Sequence, residues 1–260
     1  MNRLLIIDGM NLVRRLHAAQ PDEADMQGLT ERSRNACQKL IRQHNPTHVA
    51  IVWDGDEESW RKRLYPDYKK GRKPMPQALA DGLPALKQAL AEAGIGSINA
   101  LSEADDVIAT LASKLCLRGG EAIIVSTDKG FCQLRLPRLL LWDHFNGAAM
   151  DIAALEQKLG IEQSQLLDFM ALSGDSGNKI PGIQGIGPKT AGELLRSFRT
   201  LANVYNALDT LGAKQAKKLT EGKEMARLSY RLAKLRTDLE LNIRLNQYRV
   251  KENQGSKSST

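Results

Sequence analysis

The chain has 260 residues, with 37 Lys and Arg against 30 Asp and Glu, a net charge of +7 and a pI near 9.3. Its 42% hydrophobic and 26% charged content describes an ordinary soluble globular protein with room for one large or two modest cores. The basic balance favours a polyanionic partner without identifying it, and Cys37, Cys116 and Cys132 stand too far apart for a zinc site or a disulfide frame.

The N-terminus, "MNRLLIIDGM", carries an apolar run far short of a signal peptide or membrane span, so cytoplasm is the expected compartment. Four apolar runs read as buried strands: "LLII" (4–7), "VAIVW" (49–53), "AIIVS" (122–126) and "LLLW" (139–142). Helical-period segments separate the first three, the βαβ pattern of a parallel sheet. Past about residue 155 only helical periods remain, in "SQLLDFMALSG", "PKTAGELLRSF", "LANVYNAL" and "KEMARLSYRLAKLRTDL". The expected organisation is an α/β domain over 1–155, an all-α domain over 156–250 and a disordered tail over 251–260.

Two stretches concentrate positive charge. Residues 175–236 hold twelve Lys and Arg against five acids, and "RKRLYPDYKKGRK" (61–73) holds seven against Asp67, with Tyr65 and Tyr68 interleaved. Either alone reads as a solvated face; two in one basic chain point toward a polyanion.

Three strands run into an aspartate, at Asp8, Asp54 and Asp128, and ligands of open parallel sheets bind beyond these carboxyl ends. "SEADDVIATLA" adds Glu103, Asp105 and Asp106 at a helix start, with Ser102 as the expected N-cap. Singly, such acids are turn and cap residues. Gathered, they repel by ~4 kcal/mol per pair at ~4 Å and a dielectric of ~20, and oxygen-only crowding suits Mg²⁺ or Mn²⁺. Such ions activate water at a phosphodiester. His17, His44, His48 and His144 show no metal-ligand spacing.

"GIQGIGPKTA" places Gly182, Gly185 and Gly187 before Pro188, Lys189 and Thr190 at a helix start. Glycines admit a phosphate to backbone N–H groups, and the helix N-terminus adds partial positive charge. The P-loop spacing is absent, because Pro188 precedes the lysine.

In this order, "IIDGMNLVRR", "RLYPDYKKGR", "EADDVIATLA", "VSTDKG" and "GDSGNKIPGIQGIGPKTA" resemble the motifs of the 5′-nuclease (flap endonuclease) superfamily, over about residues 1–240. That superfamily includes the N-terminal nuclease of bacterial DNA polymerase I and phage 5′-exonucleases; this chain is similar to the free-standing bacterial Xni (exonuclease IX-like) type. The resemblance implies a PIN-like parallel-sheet nuclease domain with a helical arch over about 56–84, then a helix–three-turn–helix DNA-binding domain. It implies Mg²⁺-dependent hydrolysis of 5′ flaps near the duplex junction, in DNA replication or repair, by a monomer. Asp8, Asp54, Glu103 and Asp105 would hold the first Mg²⁺ with Asp106 close by, and Asp128 and Asp175 a second. Lys69 and Arg72 would face the scissile phosphate, and Tyr65 and Tyr68 would offer stacking surfaces. Backbone oxygens of Leu172, Ser173, Pro181, Ile183 and Ile186 would hold a K⁺. Gly185, Ile186, Gly187, Pro188, Lys189 and Thr190 would touch duplex DNA.

The sequence departs from the family pattern twice. Gly130 stands where most members carry the second acid of G-D-K-D, and Asn178 replaces the second acid of G-D-S-S-D-N. The second ion is therefore expected to be weak or completed by substrate oxygens. A flap-binding protein with little catalysis is the alternative reading, and an RNA-cutting PIN nuclease leaves residues 160–240 unexplained.

Overall fold

A computed structural model describes residues 1–251; of the tail expected at 251–260, all but Lys251 lies outside the described residues. The elements run β1 (Arg3–Asp8), α1 (Gly9–Ala18), α2 (Met26–His44), β2 (His48–Trp53), α3 (Trp60–Leu64), α4 (Gln77–Glu92), β3 (Gly96–Asn99) and α5 (Ala104–Leu117). There follow β4 (Glu121–Val125), β5 (Leu139–Asp143), β6 (Ala148–Ala149), α6 (Ile152–Leu159), α7 (Leu166–Ser173) and α8 (Pro188–Phe198). The last are α9 (Leu201–Asn206), α10 (Ala213–Glu221) and α11 (Lys223–Ala233). No helix among the described residues is long and apolar enough to cross a membrane.

The six strands form one sheet in the order β3-β2-β1-β4-β5-β6, parallel except for β6. The central strands read as unbroken apolar runs because both faces are covered. Alternate residues divide accordingly: Leu4, Ile6 and Val52 face α5, while Leu5, Ile7 and Trp53 face α1, α2 and α4. The first of these clusters continues through Leu166, Leu172, Ile186, Leu194 and Leu219, so the sheet and the helical unit share a core. Two strands escaped the sequence reading. β3, "GSIN", has no apolar run, and β6 has two residues.

Chain reversal on the two sides of β1 sets a switch point between β1 and β4, and the strand-end aspartates flank it. Tight glycines fix two of them. A Cβ on Gly9 would fall 2.5 Å from the Trp53 ring, and one on Gly55 2.1 Å from the Ala100 carbonyl oxygen. Only glycine lets α1 and the β2 exit press this close.

The helical period read through residue 239 ends at Ala233 in the structure. Side chains capture the backbone beyond it: the Lys234 carbonyl accepts from Arg61, and the Leu235 and Arg236 N–H groups donate to Gln133 and Asp106. Residues 236–250 then leave the helical unit and run back along the first. Lys114 Nζ donates to the Leu239 carbonyl (2.6 Å), Tyr248 lies on Gly96, and the Val250 N–H donates to the Thr47 carbonyl (3.0 Å). The segment 56–84 holds α3, a turn-rich stretch and the first half of α4.

Candidate active site

Asp8 ends β1 and caps α1, accepting the Asn11 N–H (3.0 Å) and the Ser126 hydroxyl (2.9 Å). Burial, reinforced by the Asp54 and Asp128 charges, pushes its carboxyl from 3.8 up to about 6. Asp54 is exposed and accepts the Ala104 N–H at 2.8 Å. This corrects the N-cap expectation: Asp54, just past the end of β2, accepts the first N–H of α5, and Ser102 does not cap it. Asp105, in the first turn of α5, is held well above the ordinary carboxylate range by burial and by the Asp8, Asp128 and Asp54 charges, opposed by Lys69. The Lys69 ammonium stands 3.8 Å from it.

Glu103 faces the other way. Burial opposes its ionisation, but Lys69 and Arg61 hold its carboxyl down at about 2. Its oxygens accept from Arg61 (2.6 Å), Lys69 (2.5 Å), Ser59 (2.7 Å) and Tyr68 (3.2 Å). Asp106 is likewise turned to local donors. It takes Arg61 in a two-pronged pair (2.9 and 2.8 Å) and accepts from Trp60 Nε1 (2.9 Å) and the Arg236 N–H (2.9 Å). Among the described residues no three acidic, His or Cys side chains stand close enough to grip one ion. The expected first cluster is thus gathered but not closed, because each carboxylate holds a local donor.

Asp128 accepts the Gly130 N–H at 2.7 Å, and Asp175 accepts the Gly177 N–H at 2.9 Å. Asn178 donates to Asp175 (2.6 Å), while its own side-chain oxygen accepts from Arg72 (2.5 Å) and its carbonyl from the Lys69 N–H (2.9 Å). Asn178 therefore clasps the basic segment to the 174–182 loop.

One cavity of about 690 Å³ collects Asp105, Asp128, Asp175, Asn178 and Arg72, and reaches Pro188 at the start of α8. Asp8, Asp54, Glu103 and Lys69 do not line it. Tyr68 is corrected as a stacking surface: it is 5% exposed, packs with Ile180 and Leu232 and spends its hydroxyl on Glu103. Tyr65 is half-buried in the same cluster.

At the glycine loop, the Ile186 side chain is buried, so only its backbone can face a ligand. A Cβ on Gly187 would meet nothing within 4 Å, and Pro188 and Lys189 are exposed. No side chain caps α8. Lys218, from α10, donates to the Gly185 carbonyl at 3.0 Å and adds charge here. The stretches carrying Leu172–Ser173 and Pro181–Ile183 touch: a Cβ on Gly182 would fall 2.3 Å from the Gly174 nitrogen. Leu172 and Ile183 carbonyls each accept one backbone N–H, leaving a lone pair on each.

Sequence reasoning missed Arg61, which lay unmarked inside a basic run. It is 2% exposed, and all five of its N–H groups are used, on Glu103, on Asp106 twice, and on the Leu232 and Lys234 carbonyls. No periodicity separates such a residue from its solvated neighbours.

Comparison with known proteins identifies the family and the fold. Residues 3–160 match the family model "5′-3′ exonuclease, N-terminal resolvase-like domain", and residues 161–256 match "5′-3′ exonuclease, C-terminal SAM fold". The chain is 67% identical over 258 residues to flap endonuclease Xni of Shewanella baltica strain OS185, covering 99% of this chain and 98% of the relative. It is 66% identical over 250 residues to flap endonuclease Xni of Shewanella loihica, covering 96% and 98%. Among solved structures, T5 5′-exonuclease with bound zinc superposes with a TM-score of 0.74 at 20% identity, covering 89% of each chain. The catalytic core of Rad2 in complex with DNA substrate superposes at 0.57 and 17% identity, covering 92% of this chain and 80% of that one.

Proposed function

Because this chain belongs to the 5′-3′ exonuclease family, we propose that it is a divalent-metal-dependent, structure-specific 5′ flap endonuclease. One observation carries the reading: a single cavity joins Asp105, Asp128 and Asp175 to the uncapped start of α8. A duplex backbone held at residues 185–190 would lead its phosphodiester toward the carboxylates. Incubation with a labelled 5′-flap DNA and Mg²⁺ or Mn²⁺ tests it; an inert protein across both ions sinks the enzyme claim, and matched RNA and DNA flaps decide the sugar.

The donor set fits a hard cation: oxygen ligands only, mutually repelling, with Asp8 and Asp105 resisting ionisation. Turned from their present local donors, Asp8, Asp54 and Asp105 would hold the first Mg²⁺, with Asp128 and Asp175 near a weaker second; such ions supply Lewis acidity and an ionised water. The protein's own work is positioning. Lys69 pairs with Glu103 and stands beside Asp105, and Arg72 rests on Asn178. Releasing either pair would turn a cation toward a phosphate, and releasing Lys69 would leave the Glu103 Oε1 with only the Tyr68 hydroxyl. A K⁺ between the Leu172–Ser173 and Pro181–Ile186 carbonyls would stiffen the loop that presents Gly187 and Lys189.

The raised Asp8 carboxyl sets a pH dependence. Between 3.8 and about 6 the folded protein binds that proton more tightly than the unfolded chain, so stability without a divalent ion falls as pH rises. An ion that requires ionised carboxylates reverses the trend. Mg²⁺ is expected to raise the melting temperature more at about pH 7 than at about pH 5; equal rises would remove Asp8 from the ion's ligands.

For the grip, Lys189→Ala is expected to lower the log–log salt slope of duplex binding by ~0.9. An unchanged slope would take Lys189 out of the interface.

The weakly catalytic reading draws on the Arg72–Asn178–Asp175 chain, which occupies the second acid position with a neutral amide. A Cβ on Gly130 would stand 3.1 Å from the Asp128 carboxylate, so a carboxylate there would join it. Gly130→Asp with Asn178→Asp is expected to lower the Mg²⁺ concentration for half-maximal cleavage. No change would show that the two losses do not limit activity.

A further inference from the structure

Trp60 begins α3, yet it joins none of the apolar clusters of the described residues. It is half-buried, and two polar partners hold it. Nε1 donates to the buried Asp106 at 2.9 Å, and the Arg61 guanidinium lies over the ring, 4.5 Å from its centroid. Both partners are themselves fixed, so the indole is locked before any ligand arrives.

Trp60 lines an open cleft of about 480 Å³ between α3 and the end of α11. Arg231, Lys234 and Arg236 line the same cleft and are exposed; Asp238 is its one carboxylate, 3.6 Å from Arg236. Arg61 separates this cleft from the cavity of Asp105 and Asp128, and Leu235 lines both. The aromatic wall therefore stands one residue layer from the carboxylates.

We propose that this cleft binds an unpaired nucleic-acid strand, with a base stacked on Trp60 and flanking phosphates held by Arg231, Lys234 and Arg236. A rigid aromatic face beside clustered cations is the chemistry of sequence-tolerant single-strand binding. Only an unpaired base offers a free π-face; a duplex offers phosphates but keeps its bases stacked. Because Trp60 is held in advance, stacking costs little side-chain ordering. The proposal deepens the flap reading, and rests on it, by giving the unpaired arm a seat separate from the cutting cavity. It also moves the stacking role from the buried Tyr68 to the residue just before the same basic run.

The test measures anisotropy of a labelled oligothymidylate with the full chain. Arg231→Glu/Lys234→Glu is compared with Lys39→Glu/Arg42→Glu, which makes the same change in charge at exposed positions of α2. The cleft variant is expected to bind about tenfold more weakly than the control, with its log–log salt slope reduced by ~0.7 for each lost contact. Trp60→Leu is expected to weaken binding about fivefold or more and to abolish oligonucleotide quenching of tryptophan fluorescence. Since that change also disturbs Asp106, the charge reversal decides. Equal binding by the cleft and control variants overturns the proposal. Wild-type flap cleavage is assayed in parallel: its absence would sink the endonuclease reading, whereas cleavage with equal variant binding sinks the cleft alone.

Discussion

Asp105→Asn is expected to reduce flap cleavage about 10³-fold, the worth of a metal contact of several kcal/mol in the transition state. Flap binding should change little, because the proposed duplex grip lies at α8 and not at α5. The same substitution should raise the melting temperature at neutral pH without divalent ions. Asp105 resists ionisation because of burial and the Asp8, Asp128 and Asp54 charges, and an amide of the same shape relieves both costs. Turnover and melting therefore move in opposite directions. If both fell together, Asp105 would be a structural residue, and if neither moved it would stand outside the site.

Arg61→Met is expected to destabilise the fold by about 3–5 kcal/mol, read as a lower urea midpoint with unchanged slope. The cost arises from what remains. Asp106, 4% exposed, would lose its two-pronged partner, and the Leu232 and Lys234 carbonyls would lose their donors. Replacing both members, as Arg61→Met/Asp106→Leu, should recover much of the loss, since a buried pair is often worth little against apolar packing. Glu103 would keep Lys69 in either case. A single-variant loss below about 1 kcal/mol would mean that water replaces the guanidinium and that the centre is less dry than its burial indicates.

Legibility followed geometry that repeats along the chain. β1, β2 and β4 were readable because burial on both faces makes unbroken apolar runs, and the aspartates at their ends were readable because parallel strands share a carboxyl edge. β3 was not, since "GSIN" draws its place from pairing with β2. Glu103, Asp105 and Asp106 are near-neighbours in sequence, and only the fold separates them: Asp105 turns to the cavity, Glu103 to Lys69, Asp106 to Arg61. Arg61 meets the acids across more than 40 positions and the α11 end across 171, separations that no local pattern encodes. Asn178 was legible as a lost acid but not as the clasp on Arg72.

The returning segment at 236–250 bears on how the chain is made. β3 is an edge strand, and Tyr248 lies against Gly96 while Val250 joins the strand's neighbourhood through Thr47. Synthesis runs from the N-terminus, so the sheet can assemble before residues 236–250 arrive to lie against it. Through that interval the β3 edge offers unpaired backbone groups to any passing strand. Only the arrival of residues 236–250 brings a side chain, Tyr248, against that edge, so a late stretch of the chain guards an early one.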